Sequence, residues 1–192
     1  LADFQDVTTQ TQSWDNWCMA LSNRGDVHAS LGKEAAGNQN YLSAGEHYVT
    51  AAVCYHFGKF LFVQDPEQMK QTHAFAVEYH KKSMELADPL GERIEINWNN
   101  LTMYGNLRKP KNIDNPPVVI MCMGLDSAKE EMETNERVFL DRGIATLAFD
   151  GPGQGESEYL APICPEYEEP VSAVIDFIEK RDDLSSDRVA IW

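Results

Sequence analysis

Residues 118–157 read VVIMCMGLDSAKEEMETNERVFLDRGIATLAFDGPGQGES, and the fold class follows from them. Val118 to Met123 is a continuous apolar run, the pattern of a strand covered on both faces. Ser127 to Arg142 has helical spacing, Gly143 ends it, and Ile144 to Phe149 reads as a second buried strand. Strand, helix, strand over this length places the two strands in one parallel sheet. The unit recurs downstream as a helix from Tyr167 to Arg181 and a strand from Arg188 to Trp192. Upstream, Arg93 to Trp98 and Thr102 to Arg108 alternate on either side of Asn99-Asn100, which predicts an antiparallel hairpin. Asn115-Pro116-Pro117 separates that hairpin from the buried strands.

Before Asp88 the period is helical throughout. Asp65, Pro66 and Gln68 form a helix start: a capping carboxylate, a proline where the missing N–H costs nothing, and an amide at the third helical position. That helix runs to about Leu86 and stops at Asp88-Pro89-Leu90-Gly91. Ser43 and Glu46 suggest a capping box for the preceding helix, which continues through Phe62. A further helix is expected over Ser13 to Leu31, with Trp14, Trp17 and Leu21 on one face. Ala52-x-x-Tyr55-His56 and Ala76-x-x-Tyr79-His80 echo each other, but two copies do not make a repeat array. They read as small residues packing against aromatics, and the histidines among them as packing residues. The expected architecture is α/β, with a helical domain over residues 1–88 and a sheet domain over residues 89–192.

The chain has 192 residues, with 16 Lys and Arg against 31 Asp and Glu, a net charge of −15. Counterion release from a phosphate backbone needs clustered cations, so a nucleic-acid partner is not expected. No apolar run approaches the roughly 18 residues needed to cross a bilayer, so no membrane partner is expected either. Cys18, Cys54, Cys122 and Cys164 lie far apart and lack paired metal-ligand spacing, and the histidines include no HExxH. Reduced thiols in a cytoplasmic protein, with no metal and no cofactor, are the reading that fits.

Two turns carry chemical information. Gly124-Leu125-Asp126-Ser127 leaves a buried strand for a helix at the sheet's carboxyl edge, where backbone N–H groups can meet an anion or a developing oxyanion. Gly151, Gly153 and Gly155 alternate with Pro152 between them and no helix follows at once, so the dinucleotide fingerprint GxGxxG is not met. Ser127, Ser157 and Ser172 lie in no GxSxG frame and read as structural.

The ordered set PPVVIMCMGLDSAKEE, RGIATLAFDGPGQGES and DRVAIW resembles the α/β-hydrolase fold. With YHFGKFLF, GERIEI and TMYGNLRKP before it, the chain is similar, from about Trp14 onward, to the 2,6-dihydroxypseudooxynicotine hydrolase group and its esterase-like relatives. The resemblance implies that residues 1–88 are a helical cap and residues 89–192 the first half of a hydrolase sheet: a hairpin, then parallel strands. It implies a serine nucleophile in a turn directly after Trp192, with the acid and histidine later, so the 192 residues hold no catalytic triad member. As a piece ending before that turn, they are expected to be inactive alone. It places one oxyanion donor at Gly124 or Leu125 without choosing between them. The expected partner is a small molecule, an aromatic ketone or an ester, cleaved at a carbon–carbon bond or an ester bond, with homodimerisation left open. The competing reading is a noncatalytic helical interaction module on a degenerate hydrolase fold; a GxSxG in the next five residues of the gene separates the two.

Overall fold

The computed structural model describes residues 2–192. The chain falls into two compact units divided between Asp88 and Pro89. In the first, α1 (Ala2–Gln10) is followed by α2 (Trp17–Gly37), α3 (Tyr41–Lys59) and α4 (Pro66–Met84). Short connections of this kind make consecutive helices neighbours, and α3 packs between α2 and α4.

The α2–α3 contact explains two glycines inside a helix, where each would otherwise cost about 1 kcal/mol relative to alanine. A Cβ on Gly25 would lie 2.8 Å from the Tyr55 ring, and one on Gly32 would lie 2.6 Å from the Tyr48 ring. Tyr55 donates to Asp26 Oδ1 at 2.6 Å and stacks on Tyr79 with ring centroids 5.6 Å apart. Ala52 and Ala76 are fully buried. The paired Ala-x-x-Tyr-His strings are therefore packing positions on adjacent helices.

Several expected boundaries in this unit move, among them the end of α3, which is at Lys59 where Phe62 was expected. The helix expected over Ser13 to Leu31 is one 3-10 turn at Trp14–Asn16 and then α2 itself, which continues to Gly37 because Gly32 serves the Tyr48 contact. The Ser43 capping box is not used: α3 starts at Tyr41, straight after the left-handed turn at Gln39 (φ 62), leaving Ser43 inside the first turn. The expected start at Asp65 is as read, with its carboxylate accepting from the Gln68 N–H at 3.0 Å, and α4 ends at Met84.

The second unit is a five-stranded sheet in the order β1-β2-β4-β3-β5, formed by β1 (Gly91–Trp98), β2 (Leu101–Arg108), β3 (Val118–Cys122), β4 (Ala145–Asp150) and β5 (Val189–Ile191). The hairpin closes through Asn99 and Asn100, both at positive φ (43° and 62°), the backbone that a two-residue hairpin turn needs and asparagine tolerates. β2 meets β4 antiparallel, whereas β3 pairs parallel with both β4 and β5. One face packs Met103, Leu107, Ile120, Leu147 and Phe149 against Val174 and Ile178 of α6 (Glu168–Glu179). The other packs Val119, Met121 and Ala148 with Met132 and Phe139, beside α5 (Glu133–Leu140). Cover on both faces is why β3 is almost wholly apolar and β4 is buried at every position, Thr146 and Asp150 included.

Candidate functional site: the carboxyl ends of β3 and β4

Parallel pairing with Cys122 opposite Phe149 brings β3 and β4 to the same edge of the sheet. Two loops leave there side by side, Met123–Ala128 and Gly151–Gln154. Gln154, 3% exposed, ties them together. Its Nε2 donates to Met123 O at 2.8 Å and to Gly124 O at 2.7 Å. Its Oε1 accepts the Gly151 N–H at 3.3 Å and a short bond from the Tyr167 hydroxyl. Burial pushes the Tyr167 hydroxyl well above its ordinary range, so it stays protonated and remains a donor.

Beneath these loops lies a buried ionic cluster. Asp150, the last residue of β4, accepts the Lys129 N–H at 2.9 Å on Oδ1, and on Oδ2 the Lys129 ammonium at 2.7 Å and the Glu156 N–H at 3.1 Å. The same ammonium reaches Glu130 at 2.6 Å and Glu156 at 2.7 Å. Arg93 closes the far side, 2.7 Å from Glu156 and stacked over the Tyr104 ring at 4.2 Å. Burial alone would lower the Lys129 pKa, but Asp150, Glu130 and Glu156 together hold it above its ordinary value. Burial would raise Glu156; Lys129 and Arg93 outweigh it and hold the carboxyl below the usual range. Among the described residues, Glu130, Asp150 and Glu156 are the group whose carboxylates come close enough to share a metal ion, and the Lys129 ammonium already sits on all three.

The alternating glycines serve this packing. A Cβ on Gly151 would lie 2.1 Å from the Tyr167 hydroxyl oxygen, and one on Gly155, at φ +46, would lie 2.0 Å from Asp150 Oδ2. The loop presses on protein atoms where a phosphate cradle would face a ligand. Ser157 and Ser172 donate to the backbone carbonyls of Asp150 and Glu168, at 3.2 Å and 2.8 Å, while the Ser127 N–H closes a turn onto Gly124 O.

The family model described as "Esterase FrsA-like" matches residues 3–161. The 2,6-dihydropseudooxynicotine hydrolase of Paenarthrobacter nicotinovorans is 37% identical over 179 residues, which cover 93% of this chain and 47% of that protein. The chain belongs to the FrsA-like esterase family. Esterase FrsA of Vibrio cholerae is 27% identical over 146 residues, 75% of this chain and 34% of the esterase. A crystal structure of a 2,6-dihydroxy-pseudo-oxynicotine hydrolase superposes with a TM-score of 0.87 at 32% identity, covering 99% of this chain and 53% of that one. The FrsA-like chain thus has the α/β-hydrolase fold, a helical amino-terminal region followed by hairpin and parallel strands, and spans about half the length or less of these relatives.

In this FrsA-like chain Gly124 and Leu125, one or other of which is expected to supply an oxyanion donor, lie exposed at the end of β3, with Leu125 71% accessible. Among the described residues neither of their N–H groups has a hydrogen-bond acceptor. β5 ends beside them: Cys122 donates its N–H to Trp192 O at 3.0 Å. Lys129, Gln154 and Tyr167 were not singled out from sequence. Lys129 and Gln154 lie within the AKEE and GPGQGES segments, but partners 13 to 31 positions away, such as Tyr167 and Met123 for Gln154, leave no mark in local spacing. The helix expected from Ser127 to Arg142 is broken for the same reason. Lys129 is drawn to Asp150 by both its N–H and its ammonium, so residues 129–131 form a 3-10 turn and regular helix starts only at Glu133. Among the described residues no helix is long and apolar enough to cross a membrane.

Proposed function

We propose that the complete gene product is a serine hydrolase that attacks a carbonyl compound, at a carbon–carbon bond next to a ketone or at an ester, with the Gly124–Leu125 loop supplying one oxyanion donor. The observation carrying this reading is the pair of unpartnered backbone N–H groups at the carboxyl end of β3, one strand away from the end of β5. In this reading the nucleophilic serine stands in the turn after β5, so a carbonyl carbon bound there would have its oxygen near this loop. As the serine adds, charge moves onto that oxygen, and N–H groups fixed beforehand stabilise it without reorganising. The relatives' names support carbonyl hydrolysis and do not separate the two bond types. The role proposed for residues 1–88 is that of a cap that selects the substrate, and the aromatic side chains of that half favour an aromatic ketone or ester.

The test uses the complete gene product. A fluorophosphonate probe should label one serine, and a small activated ester should be turned over. Gly124→Ala should keep near-normal turnover, because an added Cβ would meet nothing closer than Asp126 Oδ1 at 3.5 Å. Gly124→Pro removes an N–H and displaces the peptide, and kcat should fall by about 10²-fold or more. A complete protein that neither labels nor hydrolyses refutes the hydrolase reading; equal turnover by both variants removes this loop from the oxyanion role.

A further inference from the structure

We propose that Gln154 is the positioning residue of the oxyanion loop: its carboxamide aims the Gly124 and Leu125 N–H groups by holding the carbonyls of the same two peptide planes. The inference rests on the hydrolase reading above and adds to it the side chain that makes the loop rigid.

A trans peptide is planar, with its C=O and N–H pointing to opposite sides. Fixing Met123 O therefore fixes the direction of the Gly124 N–H, and fixing Gly124 O fixes that of Leu125. Gln154 does both with one nitrogen, at 2.8 and 2.7 Å, one amide hydrogen for each carbonyl. The N–H groups are thereby turned away from Gln154. Amide orientation is itself decided, because Oε1 takes the Gly151 N–H and the Tyr167 hydroxyl. A flipped carboxamide would set its NH2 against two donors and its oxygen against two carbonyls. The side chain is 3% exposed, so water does not compete for these bonds. Tyr167 is in turn packed against Phe149, which ties the loop to the strand beneath it. An oxyanion donor gives its full effect only when it is placed before charge develops, and a displacement of about 1 Å can cost on the order of 10²-fold in rate.

Gln154→Met keeps the length and apolar volume of the side chain and removes both donations. In the complete enzyme, with a small activated ester, kcat should fall by about 10²-fold while KM changes less than about twofold, since ground-state binding does not use the oxyanion donors. Binding of a trifluoromethyl ketone, which forms a tetrahedral oxyanion on the serine, should weaken in parallel with kcat. Tyr167→Phe leaves the amide but frees its orientation, so it should give a smaller loss of kcat, again at constant KM. If Gln154→Met does not fold, Tyr167→Phe decides, and normal kcat there overturns the proposal. So does a kcat within twofold of wild type in Gln154→Met, or a loss of activity carried equally by KM. Wild-type enzyme that turns over while Gln154→Met is indifferent sinks this inference alone; wild-type enzyme that neither turns over nor labels sinks the hydrolase reading and this inference with it.

Discussion

Lys129 is a charge held entirely away from water, with its ammonium on Asp150, Glu130 and Glu156. Such a group costs several kcal/mol to desolvate and is tolerated because three carboxylates surround it, Asp150 and Glu130 buried as it is and Glu156 partly so. Removing it is worse than never having had it, because the carboxylates remain and repel one another. Lys129→Met should therefore lower the unfolding free energy of the complete protein by about 3 to 5 kcal/mol, read as a shift of the urea midpoint at unchanged slope. A loss below about 1 kcal/mol would mean that water or Arg93 relieves the carboxylates, and the cluster would not be a structural anchor. At this scale the sequence says little. DGPGQGES shows that glycine is needed, yet that Gly155 faces the Asp150 carboxylate and Gly151 the Tyr167 hydroxyl depends on how the chain returns on itself.

Elements whose determinants are local were readable from sequence, and those held by distant partners were not. The hairpin of β1 and β2 follows from alternation around Asn99-Asn100, and α4 from the cap at Asp65; β3 and β4 follow from their largely apolar stretches on either side of a helical segment. The helix α5 was foreseen, but its start was not, because the Lys129–Asp150 bonds pre-empt the first turn. Once formed, α5 is tied to the sheet by Arg108, at the end of β2, which pairs with Glu133 and, at 3.3 Å, with Glu136. Burial raises the Glu136 carboxyl from 4.5 to about 7, against the lowering pull of Arg108. A raised acid pKa means the folded state keeps a proton that the unfolded chain releases. This contribution to stability is full below pH 4.5, falls as pH rises, and is gone above about 7. Glu136→Gln cannot release a proton, so relative to wild type it should gain up to about 3 kcal/mol between pH 4.5 and 7. Denaturant titrations of both proteins at pH 5 and pH 8 give the difference. Parallel pH profiles would place the raised pKa elsewhere.

For the whole molecule, the organisation into two units decides how the function can be divided experimentally. Each unit has its own buried clusters, Ala29, Ala51, Tyr55 and Ala76 among the helices, and the residues around Ile120 and Leu147 in the sheet. The change of unit between Asp88 and Pro89 coincides with the switch from helical to alternating period, so it lies where a cut disturbs least. The chemistry proposed above belongs to the sheet unit: the Gly124–Leu125 loop, Gln154 and the ionic cluster all follow Pro89. The proposed contribution of residues 1–88 is selection among substrates. On that division, a complete gene product lacking residues 1–88 should still be phosphonylated by a fluorophosphonate, with loss of fluoride, and acylated by a small activated ester. Its preference for a bulky aromatic ester over acetate, taken as a ratio of kcat/KM values, should shrink by tenfold or more, a loss of about 1.4 kcal/mol of discrimination. An unchanged ratio would reject the selecting role of the helices, and loss of both labelling and the cooperative unfolding transition would show that the sheet unit does not stand without them.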